Sequence, residues 1–536
     1  MDEFIKHKIK NKNNIMKKLI QNQGLNLVLM GLATVPAFSQ SKDVKRPNIL
    51  FIAVDDLKPL IAAYGDKIAV TPGMDRLAKE GFAFQNCYVQ QAISGATRAS
   101  IMTGMRPDKT RVWDLVTDFR QVNPNAVSIS EHFIKNGYES AATGKIFHMG
   151  SAGPGHDAPS WTMPYVNVKV DSYANFKPEK GKKGPAMECA DVSDNTYQDG
   201  LAAEEGIKLM NQLKEKGKPF FLAVGFIKPH LPFVAPKKYW DLYKRDQFQI
   251  APYQKKAVGS PEMAYHVSGE LKGYTDIPQF DSYSEKELEH LPVDKQKELI
   301  HGYYAATSYM DAQLQKVLNE LDRLGLAENT IVVLWGDHGW HLGDHGLWNK
   351  HTDFENATHA CMLMRGTKGM LQNAKPTTQC EFVDIFPTLC DLTGVPTPKY
   401  LDGVSLVPAM KNPTVQLREY AMSQYPRSKS MGYSIRTKQF RYTVWIGDYY
   451  SAEKPFSAAK IEAVEMYDYV KDPLETKSVI GDNAYAKDEA MMKDMFEDAM
   501  DREHKQYVNY SKLANWQTPI STDSNKKGRK MGVGVE

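Results

Sequence analysis

The chain has 536 residues, more than one hydrophobic core ordinarily organises, so a large domain with a smaller one is expected. Its 42% apolar and 24% charged residues, with a formal charge of +3, suit a soluble globular protein and lack the basic excess of a nucleic-acid binder. Five scattered cysteines (Cys87, Cys189, Cys361, Cys380, Cys390) show no CxxC spacing, so they point to neither a zinc site nor a dense disulfide framework.

At the N-terminus, Met16, Lys17 and Lys18 precede an apolar run from Leu25 to Phe38, followed by small residues to Ser41. The run is too short to span a bilayer and contains Pro36, so residues 1–41 read as a secretory leader with translation starting at Met16. The expectation is a bacterial periplasmic or secreted protein with no membrane span once mature.

Pro47 to Val54 is a nearly continuous β-branched and apolar run, the pattern of a central strand buried on both faces. It ends in Asp55 and Asp56, where open α/β sheets bind ligands and where carboxylates suit a hard divalent cation. Taken alone, the pair reads as a helix cap or a turn. Thr71 to Gly81 reads as a capped helix, and Phe82 to Val89 as a strand leading into the next loop.

That loop begins Ser94, Gly95, Ala96, Thr97, Arg98 and continues as a helix. It sets a hydroxyl and a guanidinium one turn apart at a helix N-terminus. Ser128 to Asn136 reads as a helix and Tyr138 to Thr143 as a strand delivering Lys145 and His148. Helical spacing returns from Asp199 to Lys214. A second buried strand, Pro219 to Phe226, ends at Lys228 and at His230, which lies between two prolines that stiffen its loop. Residues 239–291 are polar and weakly periodic and read as a lid or substrate-facing loop.

A long helix is expected over 295–324 and a third buried strand over Thr330 to Trp335. After it come Asp337, His338, Trp340, His341, Asp344, His345, Trp348, Lys350 and His351, a density of acid, imidazole, indole and amine that neither a core nor a solvated face explains. Glu381 to Leu392 reads as the last helix of the main domain. Beyond Arg418, short alternating segments indicate an antiparallel sheet, with a turn-rich tail from Met466 to Glu475 and a loosely ordered end from Ser521.

Strands, helices and clusters in this order resemble the type I sulfatases and, in Asp55-Asp56, Ser94–Arg98, Gly144–His148, Lys228–His230, Asp337–Trp340 and Leu342–His351, the iduronate-2-sulfatase branch with its bacterial polysaccharide-sulfatase relatives. The resemblance covers about Pro47 to Glu475. Ser94 and Ala96 stand where most of that family carry Cys and Pro, as in the bacterial serine type. It implies an alkaline-phosphatase-like α/β sandwich with a central, mostly parallel sheet over 46–415, and a smaller C-terminal α+β domain with an antiparallel sheet over 416–536.

It further implies that a serine-type maturase oxidises Ser94 to Cα-formylglycine, and that Asp55, Asp56, Ser94, Asp337 and His338 hold a calcium ion. Arg98, Lys145 and Lys350 would cradle the sulfate, His148 would act as base, and His230 with Lys350 would serve the leaving oxygen. Trp340, His341, Trp113 and Arg120 are expected on the sugar-binding face, since aromatic and cationic groups suit an anionic saccharide. The substrate implied is a sulfated oligo- or polysaccharide, either a glycosaminoglycan or an algal polysaccharide. An unmodified Ser94 would instead fit a phosphomonoesterase or phosphodiesterase of the same superfamily, or a non-catalytic glycan-binding protein.

Overall fold

The computed structural model describes residues 46–153 and 156–514, so the expected leader and the end from Ser521 lie outside the described residues. Six strands form the central sheet: β1 (Asn48–Val54), β2 (Phe82–Ala83), β3 (Glu139–Gly144), β4 (Phe220–Phe226), β5 (Thr330–Gly336) and β6 (Met362–Arg365), in the order β2-β6-β5-β1-β4-β3. β1 runs parallel to β4 and β5, and β4 parallel to β3, whereas β6 is antiparallel to both β5 and β2.

Apolar residues at every position of β1 after Asn48 serve both faces, because successive side chains point to opposite sides of a strand. Ile49, Phe51 and Ala53 join Phe221 and Ala223 of β4 and Val333 and Trp335 of β5 on one face. There they meet Ala99, Ile101 and Met102 of α2 (Ser94–Thr103) and Phe386 and Leu389 of α5 (Ile385–Thr393). Leu50, Ile52 and Val54 face the other way, against Leu209 and Met210 of α3 (Gln198–Glu215) and Met310, Leu314 and Val317 of α4 (Val293–Arg323). The result is helices over both faces of one sheet, the arrangement that a run buried on two sides requires.

The Thr71 helix forms as α1 (Pro72–Glu80), but Thr71 makes no side-chain cap. The cap comes from α4, where the buried Asp311 carboxylate accepts the Gly73 and Met74 N–H groups at 2.8 and 2.7 Å. Burial pushes the Asp311 carboxyl up to about 7, against the pull of those two N–H groups. The fold therefore holds the Asp311 proton more tightly than the unfolded chain does, and stability from this site falls as pH rises from about 4 to about 7. We predict that wild type loses melting temperature relative to Asp311→Asn, which cannot ionise, over that interval. Asp311→Ala is expected to be less stable by about 2–4 kcal/mol because two buried donors lose their acceptor. Thermal melts of the three proteins between pH 4 and 8 measure the first, and their denaturant unfolding the second.

Two expectations need correction. Phe82 to Val89 is not one strand. It breaks after Ala83, where the Gln85 amide donates to the Ala83 carbonyl, and Asn86–Tyr88 pairs instead with Gln379–Glu381 in a separate parallel ladder. Nor is Met466 to Asp468 part of a tail, since it closes the last strand of an antiparallel sheet ordered β7 (Ala421–Arg427), β8 (Ser430–Arg436), β9 (Phe440–Ile446), β10 (Ile461–Asp468). After that sheet comes a 28-residue helix, α6 (Ala486–Leu513), which the sequence reading did not anticipate. Its Met492, Phe496 and Met500 pack on Tyr433, Tyr442 and Met466 of the sheet. Arg106, just after α2, pairs with Glu381 and with Glu503 of α6 and so ties the helix to the Asn86–Tyr88/Gln379–Glu381 ladder.

Candidate active site

The clustered residues meet at the carboxyl ends of β1, β3, β4 and β5, the edge where open α/β sheets bind ligands. β1 delivers Asp55 and Asp56, and β5 delivers Asp337 and His338. Asp56 turns into the left-handed region (φ 56°), a conformation Asp tolerates better than most residues. It is held there by its own N–H donating to Asp337 Oδ1 at 2.9 Å and by the Tyr303 hydroxyl donating to its carbonyl.

Ser94 is the first residue of α2, so Arg98 lies one turn along on the same face. Gly95 between them permits a close approach, because a Cβ there would lie 2.0 Å from the Asp114 carbonyl oxygen. Ser94 Oγ stands 3.3 Å from Asp55 Oδ1 and 3.2 Å from His338 Nε2. The His338 Nδ1 donates to the Gly339 carbonyl at 3.0 Å, an arrangement that leaves the Nε2 lone pair turned into the site. Burial lowers the pKa of the His338 ring.

Arg98 is wholly buried. Its Nε donates to Asp337 Oδ2 and its Nη2 to Asp55 Oδ1, each at 2.9 Å, while Nη1 donates to the carbonyls of Lys145 and Ile146. Its guanidinium is thus directed at two carboxylates and two backbone carbonyls, whereas the resemblance implies a place in the sulfate cradle. Lys145 pairs with Asp55 Oδ2. Burial alone would raise the Asp55 carboxyl, but Lys145 and Arg98 hold it well below the usual range. Burial pushes Asp56 up to about 6, with Asp55 and Glu270 reinforcing the rise against the pull of His230 and Lys350.

Lys350 Nζ reaches Asp56 Oδ2 at 3.1 Å and Glu270 Oε2 at 3.0 Å, and lies 4.9 Å from the centre of the Trp340 ring. His230 Nε2 faces Glu270 Oε1 at 3.3 Å and Asp56 Oδ2 at 3.8 Å. Its loop is fixed by Asp199, whose carboxylate accepts the N–H groups of Ile227 and Lys228, and by Lys228, whose Nζ donates to the His230 and Pro232 carbonyls. His148 accepts a weak bond from the Gly150 N–H at 3.4 Å, and burial with the nearby Lys145 charge lowers its pKa to about 3.

The residues expected on a sugar-binding face are not presented there. His341 is fully buried with Nε2 at 2.9 Å from Thr352 Oγ1, and Trp340 is buried against Phe233 and Tyr303. Trp113 is buried with its Nε1 donating to Asp108 Oδ1, in the cluster beneath the C-terminal sheet. Arg120 is engaged by Asp157 and Glu131. Nor is the 239–291 segment a free loop, because Phe248, Leu271, Tyr274, Phe280 and Leu291 pack with Trp340 and Trp348 into one core cluster. That segment supplies Glu270, a site residue that the sequence reading missed. No local pattern marks it, since its role comes from distant partners.

Two sets of potential ligand atoms lie within 4.8 Å of one another, Asp55 with Asp56 and His230, and Asp56 with Asp337 and His338. Hard carboxylate oxygens around Asp56, and an Asp56 carboxyl that resists ionising without a further positive charge, fit a divalent cation.

A mostly parallel sheet sandwiched by helices, with an Asp–Asp pair and an Asp–His pair closing two adjacent strands and a buried hydroxyl between them, defines an alkaline-phosphatase-like α/β sandwich. The chain belongs to the sulfatase family and is a sulfuric ester hydrolase: a family model described as Sulfatase matches residues 47–395. A second, described as N-sulphoglucosamine sulphohydrolase, C-terminal, matches residues 343–502.

Among curated relatives, the chain is 33% identical to iduronate 2-sulfatase of Mus musculus, over 82% of this chain and 91% of the relative. It is 30% identical to a sulfatase of Formosa agariphila, over 78% and 82%. Among solved structures, one in complex with its substrate D-glucosamine-2-N,6-O-disulfate superposes with a TM-score of 0.68 at 22% identity, covering 87% of this chain and 99% of that one. The phosphonate monoester hydrolase of Agrobacterium radiobacter gives 0.69 at 20%, covering 86% and 96%. These two structures bear on the fold. Among the described residues no helix is long and apolar enough to cross a membrane.

Proposed function

We propose that this protein is a secreted sulfatase that hydrolyses sulfate esters on a sulfated glycan, using a formylglycine made from Ser94 by a serine-type maturase and a bound calcium ion. The observation that carries this reading is the placement of Ser94 Oγ within 3.3 Å of both Asp55 and His338, at the buried start of a helix. The relative named for iduronate chemistry supports a saccharide substrate.

Asp55, Asp56, Asp337 and His338 would hold the calcium with the Ser94 side chain, and the ion would supply positive charge for the sulfate oxygens. An oxidised, hydrated Ser94 would supply two hydroxyls on one carbon, which a plain serine cannot. The chain's own groups do the rest. Lys145 and Lys350 present ammonium groups to an anion, each with a buried carboxylate behind it that fixes its position. His148 would be the base, although burial and the Lys145 charge lower its pKa and so weaken it as an acceptor in the substrate-free site. His230 and Lys350, on the Glu270 side, would serve the departing alcohol oxygen.

Peptide mass of the Ser94–Arg98 segment, from protein co-produced with a serine-type maturase, tests the modification directly. Loss of two hydrogens at Ser94 is expected. Chelation by EGTA is expected to lower both turnover of sulfated oligosaccharides and the melting temperature, with added calcium restoring each. Full activity after exhaustive chelation would remove the ion from the proposal.

A further inference from the structure

An ionised carboxylate beside a site for a sulfate anion is electrostatically unfavourable unless another task holds it there. Glu270 is such a group. Burial alone would raise its carboxyl, but Lys350 and His230 hold it well below the ordinary range. One of its oxygens faces His230 Nε2 at 3.3 Å, and the other accepts from Lys350 Nζ and from Asn349 Nδ2, each at 3.0 Å.

The backbone beneath it is equally fixed. Glu270 lies on the short helix Gly269–Lys272, where Ser268 Oγ accepts the Trp348 N–H at 3.1 Å and the Ser268 N–H donates to His266 Nδ1 at 2.9 Å. Leu271 is buried in the cluster that contains Trp340 and Trp348. The segment that carries the carboxylate is thus joined at Trp348 to the stretch that carries Lys350, two residues on.

Resting on the sulfatase reading above, we propose that Glu270 is a positioning residue for leaving-group departure, holding the Lys350 ammonium back from Asp56 so that one of its three N–H groups faces the ester oxygen, and fixing the His230 ring beside it. Without it, Lys350 keeps a single carboxylate partner, Asp56, and closes onto it at the expense of the leaving oxygen. His230 Nε2 likewise loses the partner that orients it. A sulfate ester with a poor leaving group depends most on such donors, because charge on its departing oxygen is least stabilised by the group itself.

The test compares Glu270→Gln, Glu270→Asp and wild type, each with Ser94 oxidation verified by peptide mass, on aryl sulfates running from 4-nitrophenyl sulfate to unsubstituted phenyl sulfate and on sulfated disaccharides. Glu270→Gln is expected to lose kcat by about 10²-fold on the poorest leaving group. The wild-type to variant ratio should widen at least about tenfold along the aryl series, and Glu270→Asp should recover part of the loss. On whichever ester the wild type turns over, the loss should fall on kcat. A uniform loss along the series, or an effect confined to KM, would overturn the positioning role while leaving the sulfatase reading intact. A matured wild type inactive on every sulfate ester would overturn both.

Discussion

Arg98→Ala is expected to be among the most damaging single substitutions in this protein, lowering folding stability by about 3–5 kcal/mol and abolishing turnover. The guanidinium is buried among two carboxylates and two carbonyls, with the Trp335 ring 5.3 Å from its centre. Its removal leaves Asp55 and Asp337 buried with one cation fewer, and the chain cannot rehydrate them, since both are fully buried. Arg98→Lys is expected to recover little, because a single ammonium cannot span both acids while also meeting the Lys145 and Ile146 carbonyls. Urea unfolding of the three proteins measures the cost. Calcium at millimolar concentration should stabilise Arg98→Ala more than wild type, since the dication would meet the charge that Arg98 no longer balances. An Arg98→Ala protein as stable as wild type would show that Asp55 and Asp337 take up protons without structural consequence.

The central sheet was legible because β1, β4 and β5 are buried on both faces and so read as unbroken apolar runs, each closing on the acids or the histidine loop that build the site. Ser94 and Arg98 were legible for a similar reason, since one helical turn fixes their common face. What escaped the reading depends on partners far along the chain. The α1 cap is Asp311, more than two hundred residues away, and Glu270 acquires its role only from His230 and Lys350. Helix α6 did carry a signal, with Met492, Phe496, Met500, Tyr507 and Tyr510 at helical spacing, but acids and lysines between them mask the stripe. Trp340, His341 and Trp113 failed in another way. Residue type indicates what a side chain can bind but not which way it points, and each of the three turns into the interior.

Ser94→Ala should separate chemistry from folding more cleanly than any other change in the site. Turnover of sulfate esters is expected to fall by at least about 10⁴-fold, as when a covalent nucleophile is deleted. Stability should change by only about 1 kcal/mol, because the hydroxyl's partners, Asp55 and His338, keep their other contacts. Ser94→Cys sharpens the argument. A thiol in this position is expected to be inactive with a serine-specific maturase and active with one that accepts cysteine, whereas a hydroxyl acting directly as nucleophile would need neither enzyme. Wild type produced without any maturase is the deciding control. If its unoxidised Ser94 turns over sulfate esters as fast as matured protein, the hydroxyl itself is the nucleophile and the formylglycine proposal falls. If it is inactive while matured protein is active, the aldehyde is required, and Ser94, Asp55 and His338 form a site whose chemistry is installed after translation.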